Sequence, residues 1–266
     1  MFSWDKTGDR VAIVQMNAEL RHAQLELLSA QCATDRLRLR FSAEDIARHA
    51  QRDVLRRALS SANALRDYYS YIAQQVSDPE LLIGNGSRVV GESQLQSDIE
   101  QLVRYLEEQR ELFYPESQPL ADDHRKPMAP FFSAQLLDKV RVTLLEGRRI
   151  STPSFFAEIR ARGFANLPDL THMRSATFDD VVVFQEPISP RHLFHALVHA
   201  AQYEVLGVRR YAELFVRAFL RTHSHVTVPL EAHAFALEVK FAGDPSQAFS
   251  VEEKVQLWAN QRRYEY

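Results

Sequence analysis

The sequence predicts a predominantly helical α+β fold, with a helical N-terminal region and a small β-sheet in the C-terminal half. Three observations support this prediction. Helix formers with few breakers dominate residues 1–115. Strand-like runs occur at 139–145 and 176–184, and helical segments with clear start and stop signals follow them. Strand and helix patterns that occur together in this way indicate a mixed fold.

The N-terminal region contains two strong helix signals. Ser42 precedes acidic residues that suit a first turn, and the helix could continue towards Gln75. Ser97 begins a capping-box pattern, which predicts a helix from there to about Leu112. Between them, the glycine-containing segment 84–91 lacks the spacing of a phosphate-binding loop and is predicted to be a turn.

A linker is predicted at 116–130, where three prolines fall among polar and charged residues. This divides the chain into a helical region at 1–115, the linker, and a second domain at 131–266. A chain of 266 residues is long enough for one large domain or two modest ones.

The second domain carries the predicted sheet. Polar and apolar residues alternate over 139–145, which predicts a strand, and the Glu146-Gly147 pair predicts a turn after it. Residues 153–162 predict a short helix that Gly163 ends. Residues 176–184 predict a hairpin or a bent strand that leads directly into the next helix.

A helix is predicted at 189–207. Ser189 can cap it, Pro190 suits its first position, and Gly207 suits a left-handed stop. Further helices are predicted at 209–221, from Pro229 to about residue 243, and after a capping box at 250–253.

The helix at 189–207 is apolar over most of its circumference, which is typical of a buried helix. Its remaining arc carries His192, His195, Ala196, His199, Gln202 and Tyr203. Buried polar side chains need partners. Because side chains four residues apart project together, a metal ion could satisfy His195 and His199; a hydrogen-bonded core pair is the alternative.

The segment His195-Ala196-Leu197-Val198-His199 resembles the active-site helix of zincin metallopeptidases, whose signature is His-Glu-x-x-His. The resemblance implies a zincin-like C-terminal half, a zinc ion, and a peptide or protein as substrate or partner. In that family the glutamate polarises the zinc-bound water and moves its proton. Ala196 occupies the glutamate position and can do neither.

A helix-borne glutamate as third ligand is the arrangement of the gluzincin branch, which Pro229-Leu230-Glu231 resembles. The resemblance covers residues 174–242 and implies a metal site of His195, His199 and Glu231, with a fourth position for water. Glu238 is an alternative third ligand or a hydrogen-bond acceptor for one imidazole. Iron(II) is a second candidate metal, but helical spacing of the histidines favours zinc.

For other polar residues near the predicted site, the sequence gives weaker evidence of a role in substrate or metal binding. His192 could contact substrate, or simply meet solvent or a cap. Tyr203 is expected in the core, and His233 on a solvated face. Tyr211, His223 and His225 could reach an open coordination position from the segments that follow.

No acidic residue of the histidine helix replaces the missing base. Glu204 projects about 140° away from the His195–His199 line. Glu186 lies just before the helix and could fold back, but nothing in the spacing requires it. A positioned general base commonly contributes on the order of 10²–10⁴ in rate, so strong peptidase activity by the usual mechanism is not expected.

The composition narrows the class of protein. Hydrophobic residues at 45% and charged residues at 25% are typical of a soluble globular protein. The formal charge of −3 gives no general case for nucleic-acid binding. The single cysteine, Cys32, allows neither an internal disulfide nor a cysteine-rich zinc module.

Residues 1–6 lack an apolar signal core, and no apolar run approaches the roughly 20 residues that span a bilayer. We therefore expect a cytoplasmic protein without membrane or nucleic-acid partners, although secretion without a leader is compatible with the sequence.

Two functions follow from these patterns. The first is a divergent zinc-dependent hydrolase that uses metal-bound water and takes its base from elsewhere. The second is an inactive pseudo-peptidase, in which the metal stabilises a binding module. Ala196 could also be an engineered inactivation, which a single sequence does not distinguish from natural divergence.

Overall fold

A computed structural model describes residues 90–265, apart from 165–166, 172, 223–224 and 226–227. The described residues are mostly helical and include a small mixed four-stranded sheet, so the α+β class is confirmed. None of the helices in this part of the chain combines the length and apolar character needed to cross a membrane.

The described residues form seven α-helices and four strands. The helices are α1 (Glu92–Phe113), α2 (Asp122–Met128), α3 (Ala134–Lys139), α4 (Phe156–Ala161), α5 (Pro190–Thr222), α6 (Pro229–Gly243) and α7 (Val251–Asn260), and the strands are β1 (Gln118–Pro119), β2 (Arg141–Leu144), β3 (Ser175–Phe178) and β4 (Val181–Phe184). The helix predicted after Ser42 and most of the turn predicted at 84–91 lie outside the described residues, as does Cys32.

The sheet has the order β1-β2-β4-β3, with β2 and β4 parallel and both edge strands antiparallel to their neighbours. All four residues of β4 are buried. A central strand covered on both faces is expected to be apolar throughout, which explains the run Val-Val-Val-Phe. The strand predicted at 139–145 is confirmed at Arg141–Leu144, while Lys139 ends α3, and β3 and β4 confirm the hairpin predicted at 176–184.

The segment predicted as a linker, 116–130, contains β1 and α2 in the structure. Leu120 and Met128 are buried in the hydrophobic core. Residues 90–241 and 245–265 belong to one compact unit. The predicted boundaries at 115 and 131 stay a prediction, because the residues before 90 lie outside the described part of the chain.

Helix α1 begins earlier than its capping-box pattern predicted. The helix starts at Glu92, after Gly91, and Ser97 lies on its exposed side. The Ser97 hydroxyl accepts a hydrogen bond from the Gln101 side chain instead of capping the helix. The helix extends towards its N-terminus because Leu95 is buried and Glu92 suits the first turn.

The helix predicted at 189–207 starts and ends at the predicted residues. Pro190 is the first residue of α5, and the Ser189 hydroxyl accepts a hydrogen bond from the His192 backbone amide. At Gly207 the backbone leaves the helical region with φ of 73°, and a second helical segment follows to Thr222. The kink therefore separates the segment that carries the histidines from the predicted helix at 209–221.

An aromatic cluster fixes α5 against α6. The Phe194 ring is fully buried and stacks on Phe241, with ring centroids 4.4 Å apart. Phe131 makes edge-on contacts with both rings. Since Phe194 directly precedes His195, this packing holds the first turns of α5 at a fixed distance from α6.

His233 on α6 lies in the core, so the prediction of a solvated face was wrong. The imidazole stacks flat on Trp258 at 3.8 Å, and its Nδ1 lies 2.7 Å from the Tyr264 hydroxyl. Burial lowers the pKa of His233 to about 4, so the ring is neutral. Packing of α7 against this side of α6 covers a face that α6 alone would leave exposed.

A buried ion pair joins α1 to the turn after α4. Arg162 donates two hydrogen bonds to Asp98, which is 1% exposed. Replacing Arg162 with methionine should lower the free energy of unfolding by about 3 kcal/mol, because Asp98 would be left buried without a counter-charge. Arg148→Met, which breaks an exposed pair with Glu116, should cost less than about 1 kcal/mol.

Urea unfolding of the two variants measures this difference. Equal losses of stability would show that burial of Asp98 does not matter to the pair.

Candidate metal centre

The two histidines predicted as ligands face one another on α5. The Nε2 atoms of His195 and His199 are 3.1 Å apart, as expected for side chains one helical turn apart that point to the same side. The histidine pair lies at the surface of the core, with His199 buried and His195 half-buried.

The other ring nitrogen of each histidine has its own acceptor. His195 Nδ1 lies 2.9 Å from a Glu238 carboxylate oxygen. His199 Nδ1 lies 2.9 Å from the Gln202 side-chain oxygen, while the Gln202 amide nitrogen donates to the Leu230 carbonyl. Each neutral imidazole then carries its proton on Nδ1, which leaves both Nε2 lone pairs directed at the same point.

Glu231 completes a triangle of ligand atoms. Its Oε2 lies 3.6 Å from His195 Nε2 and 3.4 Å from His199 Nε2. In a tetrahedral zinc site with bonds of about 2.0–2.1 Å, neighbouring ligand atoms are about 3.3–3.4 Å apart. The three measured edges average close to that value, so one cation could bond to all three atoms without rearrangement of the helices.

Glu238 takes the other of its two predicted roles. Its Oε2 accepts from His195 Nδ1, and its Oε1 pairs with the Arg191 guanidinium. The carboxylate is 3% exposed and faces the side of the imidazole away from the other histidine. Glu238 therefore orients His195, and Glu231 is the carboxylate in position to be a ligand.

The carboxylates of Glu231 and Glu238 lie beside the imidazoles, and the Arg191 guanidinium pairs with Glu238. Burial raises the pKa of Glu231, but the neighbouring His199 and His195 imidazoles outweigh this and hold it well below its usual range. Burial likewise lowers the pKa of His195, but hydrogen bonds with Glu231 and Glu238 raise it to about 9. The raised pKa of His195 favours a proton on its Nε2 at neutral pH.

The alternative of a hydrogen-bonded histidine pair is compatible with the same distances. A second proton on His195 would bridge its Nε2 to His199 and to Glu231. A metal ion would have to displace that proton, because only the unprotonated nitrogen is a ligand. Metal binding and proton binding at this site are therefore mutually exclusive.

Ala196 is buried, and its backbone carbonyl accepts a hydrogen bond from the Thr177 hydroxyl of the edge strand β3. The two acids considered as substitutes for a base point elsewhere. Glu204 pairs with Lys139 at 2.5 Å, and the exposed Glu186 pairs with Arg174 at 3.4 Å. Among the described residues, the carboxylates in contact with the imidazoles are those of Glu231 and Glu238.

His192 contacts Arg174 and not the ligand cluster. Its Nε2 lies 2.7 Å from an Arg174 guanidinium nitrogen. Burial, and then the positive charge of Arg174, lower the pKa of His192, so the ring accepts this hydrogen bond as a neutral imidazole.

Of the two tyrosines considered for the site, Tyr203 lies in the core and Tyr211 contacts His199. Tyr203 is buried and stacks on Tyr211 at 4.0 Å, as a core residue should. The Tyr211 hydroxyl lies 3.3 Å from His199 Nδ1, and burial raises the pKa of this phenol well above its usual value. His225 is buried in the turn before α6, and His223 lies outside the described residues.

Sequence reasoning assigned no role to Gln202 or Arg191. Gln202 follows His199 by three residues, so helical spacing could have indicated a contact. Arg191 gave no such signal, because its partner Glu238 lies on another helix.

Gln202 offers a test that leaves all three candidate ligands in place. Replacing it with leucine should weaken zinc binding by about 10–100-fold, since partners of ligand imidazoles typically contribute that much. Gln202 is fully buried, so leucine preserves the apolar packing while removing the nearer of the two acceptors for His199 Nδ1. Calorimetric zinc titration measures the change, and an unaltered affinity would show that Gln202 does not orient the ligand.

Comparisons of the chain with protein-family models, with curated proteins and with solved structures gave no significant match.

Proposed function

We propose that this protein binds one zinc ion through His195, His199 and Glu231, in a zincin-like arrangement, and that it is a divergent zinc-dependent hydrolase. The observation that carries this proposal is the triangle of three ligand atoms with edges of 3.1, 3.4 and 3.6 Å. The Nδ1 atom of each histidine lies within hydrogen-bond distance of a side-chain oxygen, as is usual for imidazoles that bind a metal.

The order of elements also supports a zincin-like arrangement. A small sheet precedes the helix that carries the histidine pair, and the next helix, α6, supplies the glutamate. A peptide or protein substrate is proposed on the strength of the His-x-x-x-His resemblance.

The cluster is partly exposed to solvent. The His195 and Glu231 side chains are 16% and 17% exposed, so solvent reaches the cluster from one side. Zinc held there would supply Lewis acidity and would lower the pKa of a coordinated water. The chain's own residues hold the geometry: Glu238 and Gln202 orient the two imidazoles, and Arg191 fixes Glu238.

A second candidate is a zinc-stabilised binding module. The observation that favours it is Ala196, which places a methyl group where the family's general base would stand. In this case the metal would stabilise the packing of α5 on α6 and carry out no chemistry.

Metal analysis of the purified protein tests the part that both candidates share. We expect one zinc ion per chain and a fall in melting temperature when a chelator removes it, because bound zinc stabilises only the folded state. Protein without zinc, whose melting is unchanged by chelator or by added zinc, would overturn the metal site and leave the hydrogen-bonded histidine pair.

A further inference from the structure

An arginine lies beside the histidine face of α5, close to the proposed ligands. His192 projects about 60° round the helix from His195 and about 20° from His199, so the three imidazoles share one face. The Arg174 guanidinium nitrogen Nη1 lies 2.7 Å from His192 Nε2. Three helical residues span about 4.5 Å along the axis. Arg174 therefore approaches α5 about one turn before the ligand cluster.

The backbone and the side chain of Arg174 are both held in place. The residue directly precedes β3, and its carbonyl accepts a hydrogen bond of 2.8 Å from the Gln185 amide. Its guanidinium donates to His192, which accepts as a neutral imidazole because burial and the charge of Arg174 lower its pKa. Such fixing lowers the entropic cost of ordering the guanidinium around a ligand.

The guanidinium keeps donors for a group that arrives from solvent. The Arg174 side chain is 58% exposed, and its Nε lies 3.4 Å from a Glu186 carboxylate oxygen. This distance exceeds the roughly 2.7–2.9 Å of hydrogen bonds between charged groups, and Glu186 is itself 51% exposed, so the contact is weak. A guanidinium has five N–H donors, and in the described part of the chain Nη2 has no partner.

We propose that Arg174 sets the substrate class of the zinc site by binding a carboxylate of the substrate next to the bond that is cleaved. This inference rests on the proposed function. A planar guanidinium binds the two oxygens of a carboxylate together, with more geometric specificity than an ammonium group. The substrate is then a peptide with an acidic side chain or a free C-terminal carboxylate beside the scissile bond.

Calorimetric titration of the zinc-loaded chain with two small hydroxamates tests this proposal. The monohydroxamate of glutaric acid has a free carboxylate, and the corresponding amide has nearly the same size without the charge. The hydroxamate group binds zinc in both compounds, so the difference in affinity reports on the other end. We expect the acid to bind about tenfold more tightly, as hydrogen bonds between charged groups typically contribute, and added salt to reduce this preference.

Arg174→Gln should abolish the preference for the acid and leave the affinity for the amide unchanged, which loss of folding could not imitate. Arg209→Gln is the matched control, because Arg209 is 63% exposed and pairs with the exposed carboxylate of Glu100. This control should keep the preference. Equal affinities of the parent chain for the acid and the amide, or equal effects of the two substitutions, would overturn the role of Arg174. Binding of neither hydroxamate would overturn the zinc site itself, and this proposal with it.

Competition with peptides distinguishes the two sources of the carboxylate. One set consists of acetylated, amidated tripeptides with one glutamate at each position in turn, and the other is an uncharged tripeptide with a free C-terminus. The source is the peptide that displaces the acidic hydroxamate more strongly than a tripeptide without any carboxylate, and this advantage should disappear in Arg174→Gln. If neither kind of peptide has such an advantage, an acidic peptide as substrate is overturned.

Discussion

Replacement of His199 by alanine is expected to reduce zinc affinity by more than about 100-fold. Loss of a residue that merely orients a ligand typically costs 10–100-fold, and loss of the ligand itself should exceed that. The variant would keep Glu231 and His195 but would leave two protein ligands where a tetrahedral site with bound water needs three. Competition with a chromophoric chelator can measure affinities over this range.

His192→Ala is the matched control for this experiment. It removes an imidazole from the same helix, two turns before His199, whose ring contacts Arg174 and not the cluster. Its zinc affinity should stay within a few-fold of the parent chain. A similar loss in both variants would mean that the histidines affect zinc binding through the stability of α5 and not as ligands.

The same pair of variants separates the metal site from a hydrogen-bonded pair in zinc-free protein. His199 is buried and bonded to Gln202, so His199→Ala should lower stability even in chelator. The additional stabilisation by zinc should be present in His192→Ala and absent in His199→Ala. That difference, and not the absolute melting temperature, reports on ligation.

Local signals in the sequence predicted the elements that carry the site. Ser189, Pro190 and Gly207 delimit the histidine segment of α5 by their own conformational preferences, which packing does not change. Spacing of four residues brought His195 and His199 together for the same reason. A helix opened by Pro229 was also predictable, and with it the presence of a glutamate in the first turn.

The roles of the two glutamates depended on how α5 packs on α6, which no local pattern encodes. Glu231 and Glu238 are seven residues apart and project from one side of α6. The structure places Glu231 at the Nε2 side of the histidines and Glu238 at the Nδ1 side of His195. Which of them faces Nε2 is set by long-range contacts such as that between Phe194 and Phe241.

The error at His233 has a similar origin. A helical projection places His233 nearly opposite Glu231, and an isolated α6 would expose it to solvent. In the structure His233 is covered by Trp258 and Tyr264, which lie more than twenty residues further along the chain. Such tertiary burial is outside what a single helix pattern can predict.

Ala196→Glu is expected to raise peptide hydrolysis by about 10²–10⁴ if the scaffold is a disabled peptidase, since that is the usual contribution of a positioned general base. The side chain at 196 projects about 60° round the helix from His199 and about 100° from His195. A carboxylate there would be close to the cation site. Ala196→Gln, which has the same size but no basic oxygen, should show no gain.

Ala196 is 1% exposed, so a carboxylate at this position would be buried and would need a counter-charge. Zinc should therefore stabilise the Ala196→Glu variant more than it stabilises Ala196→Gln, and chelator should destabilise the glutamate variant most. This comparison shows whether the new carboxylate faces the metal, independently of any substrate. Equal responses of the two variants would mean that the side chain points away from the site.

Hydrolysis of a peptide library by the parent chain and by Ala196→Glu then separates the two candidate functions. Activity in both would mean that the parent obtains its base from another residue or from the substrate, as a divergent hydrolase must. Activity only in the glutamate variant would show that the ligand geometry is competent and that the chain lacks just the base. Activity in neither, with zinc bound and the carboxylate facing it, would contradict the hydrolase proposal and favour the binding module, because all the groups that the chemistry requires would then be present.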